Sequence, residues 1–107
     1  GELMRSYLQD YLKLMMISIS NNYEGISFCK KALELFPEQA EEIKDFLELN
    51  YLRLIESLII DCKFKSAEEY LEEAKPYFLN KKIIPYLQKK LDDKKNEVQR
   101  KESKIKP

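Results

Sequence analysis

Apolar residues recur at Leu8, Tyr11, Leu12, Met15, Met16 and Ile19. This three-and-four spacing marks one face of an α-helix and predicts a first helix over roughly residues 3–20. Ser20-Asn21-Asn22 interrupts it, and Asn22 or a neighbour is placed to cap the next helix. That second helix, about 23–36, sets Gly25, Phe28, Ala32 and Leu35 along one stripe. Phe36-Pro37 should end it, because a residue before proline is pushed out of helical dihedrals.

A third helix is expected from about Pro37 or Glu38 to Asp61, with Ile43, Phe46, Leu47, Tyr51, Leu54, Ile55 and Leu58 as its apolar stripe. Proline suits a first helical position, and Glu38, Glu41 and Glu42 complement the positive end of the helix dipole. After a turn near Lys63 a fourth helix covers about 65–78, where Pro76 should stop or bend its last turn. The fifth begins near Ile84-Pro85 and carries Ile84, Leu87, Leu91 and Val98. Lys94 breaks that seam, so the helix should pack through Leu91, project into water and fray beyond Lys101. The fold class is all-α.

The pattern repeats. Gly25, Phe28 and Ala32 return 42 residues later as Ala67, Tyr70 and Ala74, and Tyr11-Leu12-Lys13-Leu14 returns after 40 as Tyr51-Leu52-Arg53-Leu54. A period of this length indicates one supersecondary unit used twice, each copy covering the other's apolar face. Two Gly and four Pro in 107 residues are too few for a sheet-and-turn protein and leave the helical reading unopposed.

Net charge is zero but unevenly placed: residues 1–80 sum to −6 and residues 81–107 to +6. A basic tail can bind nucleic acid or acidic lipid. Here Asp92, Asp93, Glu97 and Glu102 dilute it and no aromatic follows Tyr86, so nucleic-acid binding is not expected. No apolar run approaches the length of a membrane span; Leu58-Ile59-Ile60 reads as a buried turn of helix. Cys29 and Cys62 lack metal-type spacing and fit a reducing, cytoplasmic compartment better than a disulfide framework. A chain that opens at Gly1 without Met is expected to be a piece of a larger protein.

Chemistry is sparse. The absence of histidine removes the commonest general base and metal ligand, and two glycines cannot build a phosphate loop. The Glu41-Glu42, Glu68-Glu69, Glu72-Glu73 and Asp92-Asp93 pairs are sequence neighbours. Neighbours on a helix point about 100° apart, so these pairs read as solvated faces and do not converge on a substrate. Cys29 has no His partner and reads as a small buried hydrophobe. No enzyme, cofactor or metal is expected.

Phe64 through Ala74, and Gly25 through Pro37 with its Lys-Ala-Leu-Glu-Leu-x-Pro ending, resemble the tetratricopeptide repeat. The likeness covers about residues 6–79, as repeat 1 (about 6–37) and repeat 2 (about 38–79), with a capping helix at about 84–102. The period here exceeds the family's usual ~34 residues. It is similar to the extended-helix variants of bacterial peptide-sensing regulators and motor light chains. The usual first-helix glycine is missing, with Met15 and Ile55 near its place, while Tyr11 and Tyr51 match the early aromatic. The small residues would let helices approach closely, the two of a pair at Gly25 and Ala67 and the next repeat's at Ala32 and Ala74.

The resemblance implies two stacked hairpins whose first helices line a concave groove for a protein or peptide partner. By that register Leu12, Lys13, Met16 and Ile19 of the first unit, and Leu52, Arg53, Glu56 and Ile59 of the second, would face the groove. Lys13 and Arg53 would hold a carboxylate or the acidic residues of a peptide. The competing expectation is a homodimer or scaffold. Leu3, Met4, Tyr7 and Leu8 make the start of the first helix too apolar for a free solvated end.

Overall fold

The computed structural model describes residues 10–15 and 17–105, with side chains through 101. The described residues are all-α, with no strand. Helix α1 covers 10–15 and 17–18. Helix α2 is Asn22–Leu35, α3 is Ala40–Ile60, α4 is Phe64–Ala74 and α5 is Ile83–Ile105. Short 3-10 turns at Pro37–Gln39 and Lys75–Tyr77 join α2 to α3 and follow α4.

Local chemistry sets these boundaries. Asn21, extended at φ −91° and ψ 122°, caps α2 by accepting from the Tyr23 and Glu24 amides. Phe36, held before Pro37 at φ −131°, closes α2 by donating to Ala32 O at 2.7 Å. Residues 37–39 wind more tightly, so α3 starts at Ala40, later than the proline suggested. Pro76 likewise ends α4 at Ala74 and leaves a 3-10 turn where the sequence predicted helix to 78. Before α5, Asn80 accepts from the Lys82 amide with its side chain and from the Ile83 amide with its carbonyl.

The corner between α3 and α4 is a Schellman turn. Cys62 N–H donates to Ile59 O at 3.0 Å and Lys63 N–H to Leu58 O at 2.8 Å. That geometry needs a left-handed residue, ordinarily glycine, and here Cys62 adopts it at φ 62°.

Helix α3 packs against α2, α4 and α5. Its buried residues therefore occupy more than one face: Ile43, Leu47, Tyr51, Leu54, Ile55, Leu58 and Ile59. Tyr51 stacks on Tyr77 at 6.0 Å and meets Phe78 edge-on at 6.5 Å. The repeated small positions are all buried, Gly25 and Ala32 on α2 and Ala67 and Ala74 on α4. A Cβ built at Gly25 would lie 2.7 Å from Asn50 Cγ, so its lack of bulk admits α3.

Helix α5 adds Leu87 and Leu91 to the core. Polar ties fix it as well. Glu56 accepts from Tyr86 Oη and Lys90 Nζ, both at 3.0 Å, and Lys95 pairs with Glu68 on α4. Glu48 accepts from the Leu79 and Asn80 amides at 2.6 and 2.9 Å, pinning the chain just before α5. Lys94, where the apolar seam breaks, pairs with Glu97 at 3.7 Å, and the helix continues past the expected end to Ile105.

Candidate functional site

The repeat register places a groove on α1 and α3. Leu12 and Ile59 are each 4% exposed and belong to the core, so neither lines a groove. Ile59 is lost to it because α3 is covered on three sides rather than one. Leu52 and Ile19 are half-buried, and Arg53 is exposed, with no ion pair among the described residues. Glu56 is half-buried and engaged by Tyr86 and Lys90 of α5. Met16, and the proposed self-association residues Leu3, Met4, Tyr7 and Leu8, lie outside the described residues.

Lys13 and Arg53 do not form one clamp. Lys13 Nζ lies 3.4 Å from Glu42 Oε1 near the start of α3. Glu42 and Arg53 are eleven positions apart, about 16 Å along the helix axis. With Lys13 at Glu42, the two cations can meet two acidic groups spread along a partner, not a single carboxylate. The Lys13–Glu42 pair is exposed, and such pairs contribute about 0–1 kcal/mol, so a partner's carboxylate can replace Glu42 at little cost.

Helix α1 buries Leu12 but leaves Tyr11, Leu14, Met15 and Ile17 exposed, Leu14 and Ile17 at 69% and 68%. At 100° per residue Tyr11, Leu14 and Ile17 lie about 100–160° from Leu12, and Met15 borders it about 60° away. Adjoining exposed apolar side chains of this kind mark a contact site more often than a bare solvent face.

Sequence reasoning missed a second cluster, between α2 and α4. Tyr51 Oη donates to Glu73 Oε2 at 2.7 Å, and Lys30 Nζ lies 3.2 Å from the same oxygen. The Lys30 ammonium also stands 5.7 Å from the Tyr51 ring centre and 5.6 Å from that of Tyr77. The Tyr51 bond, then Lys30, hold the Glu73 carboxyl below its usual range against partial burial. Burial, then Glu73, push the Tyr51 hydroxyl above its usual range. Beside them Tyr23 and Tyr70 meet edge to face at 5.8 Å. Glu72-Glu73 had read as a solvated pair, and only the 22-residue separation from Tyr51, closed by the α3–α4 corner, gives Glu73 its partner.

Among the described residues no group of three or more His, Cys, Asp or Glu side chains could hold a metal. No described helix is long and apolar enough to cross a membrane. No protein-family model matches the chain, and no curated protein or solved structure matches it at a significant level of similarity.

Proposed function

We propose that this chain is a non-catalytic protein–protein interaction module of tetratricopeptide-like construction, working in a reducing intracellular setting. It takes an acidic peptide or partner helix against α1 and the exposed edge of α3. The observation that carries the reading is the exposed apolar side of α1, Tyr11, Leu14, Met15 and Ile17, on the same helix as Lys13. Apolar residues supply contact area, while Lys13 and exposed Arg53 select acidic groups along the partner. Burial of Gly25, Ala32, Ala67 and Ala74 supports the repeat-like construction. To test this, acidic peptides are titrated into wild type and into Lys13→Glu/Arg53→Glu. Binding is expected only by wild type, and equal binding by both proteins rejects the assignment.

A second reading is homodimerisation through α1. The observation favouring it is register: Met4, Leu8, Tyr11 and Met15 follow a four-three-four spacing, and Tyr11 and Met15 are exposed. Two copies could then pair along one seam. Light scattering over a range of concentrations decides it. A dimer that Leu8→Glu or Met15→Glu converts to monomer supports this reading, and a monomer at every concentration removes it.

A further inference from the structure

Between α2 and α4 lies a cleft of about 230 Å³ lined by Tyr23, Ile26, Ser27, Lys30, Tyr70 and Glu73. On one side of Glu73, a cation is already held by rings and a carboxylate together. Lys30 sits over Tyr51 and Tyr77 and against Oε2. On the open side the same elements recur. Tyr23 and Tyr70 provide aromatic surface, and Glu73 is 45% exposed with Oε1 reached by no donor among the described residues.

Charge decides what this cleft attracts. On α4, Lys65 faces four carboxylates, Glu68, Glu69, Glu72 and Glu73. Lys95 and Lys75 offset Glu68 and Glu72, which leaves Glu69 without an ion pair among the described residues. On α2, Glu24 and Glu34 balance Lys30 and Lys31. An incoming anion would therefore face Glu69 and Glu73, with Lys30 already committed to Glu73. An incoming cation meets two aromatic rings, the Ser27 hydroxyl and two carboxylates, Glu69 and Glu73, against the single Lys30 ammonium.

We propose that the α2–α4 cleft is a binding site for an arginine side chain of a partner peptide. The two rings meet at 66°, so the guanidinium plane lies on the face of one of them while its in-plane N–H groups donate to Glu73 Oε1 and Ser27 Oγ. Lysine suits the site less well, because an ammonium lacks the flat fork that stacks on a ring and offers several donors in one plane. The site is independent of the α1–α3 surface, so failure of either leaves the other standing.

The test uses the full chain and the blocked tripeptide acetyl-Ala-Arg-Ala-amide, followed through the ring resonances of Tyr23 and Tyr70. Saturable shifts of both rings are expected. The citrulline analogue, equal in shape but uncharged, should bind about tenfold more weakly. Tyr23→Leu should weaken binding about fivefold. That variant leaves the Tyr51–Glu73 bond in place, so unchanged helicity and melting will show that the fold is intact. Three results overturn the site: no saturable shift, equal binding of citrulline and arginine peptides, or wild-type affinity in Tyr23→Leu. Equal binding of the lysine peptide overturns the arginine preference.

Discussion

Tyr51 on α3 donates its hydroxyl to Glu73 on α4 at 2.7 Å, and Lys30 on α2 reaches the same carboxylate oxygen, so three helices meet at one atom. The Tyr51 ring is fully buried while Glu73 remains partly exposed. Tyr51→Phe therefore keeps the packing and strands no buried donor, and should cost about 1–2 kcal/mol in chemical denaturation.

The same bond predicts how stability changes with pH. Glu73 binds its proton less readily in the folded chain than at its ordinary value of 4.5. Between the lowered value and 4.5 the unfolded state holds more protons, so stability is present above that window and is lost as pH falls through it. Tyr51 is shifted the opposite way from its ordinary 10.0. Above pH 10 the unfolded chain loses a proton that the folded chain keeps, so stability declines as pH rises. Denaturation midpoints measured across pH should fall at both extremes. Glu73→Gln should flatten the acid limb, and Tyr51→Phe the alkaline one.

Gly25 sets two effects against each other. A helical Gly→Ala change ordinarily gains about 1 kcal/mol. Here the new Cβ would press on the Asn50 side chain, whose Nδ2 bonds Phe46 O at 2.8 Å. Gly25→Ala should therefore be neutral or destabilising, whereas Gly25→Ala/Asn50→Ala should be more stable than Asn50→Ala alone. Thermal melts of the three variants would settle the sign.

Cys62 holds a left-handed backbone that costs a non-glycine residue about 1 kcal/mol. Cys62→Gly should raise stability by about that amount. The two thiols should also separate in a thiol-reagent assay. Cys62 is exposed and should react at once in the native protein. Cys29 is 1% exposed, and burial pushes its thiol up to about 11, so it should react only as the chain unfolds.

Helix α5 depends on Leu87, which is fully buried, and on Glu56, which holds Tyr86 and Lys90. Leu87→Ala should cost about 2–5 kcal/mol. Glu56→Ala should cost about 1 kcal/mol, because its partners return to solvent. Hydrogen exchange should show the Glu56→Ala loss across the protected amides of α2 to α5 together.

Much of the helical order was legible because periodicity and prolines act locally. Ala32, Ala67 and Ala74 announced themselves as buried by lacking bulk at helical spacing. Their partners were harder to read. Gly25 meets Asn50, and a polar residue half-exposed on α3 carries no signal of close approach. The repeat register sets Ile59 on an open groove, whereas three neighbouring helices bury more than one stripe of α3. The Lys30–Glu73–Tyr51 cluster joins residues from three helices, and each of them alone resembles an ordinary surface or core residue.

Because α3 packs against α2, α4 and α5, its removal would strip each of them of its main partner and leave only the α4–α5 contact and a few side-chain pairs between α2 and α4. A linear array of repeats can melt from one end and leave the rest standing. This chain has no such option. From α2 to α5 it should lose structure in a single step, with urea midpoints that coincide whether followed by backbone ellipticity or by tyrosine fluorescence.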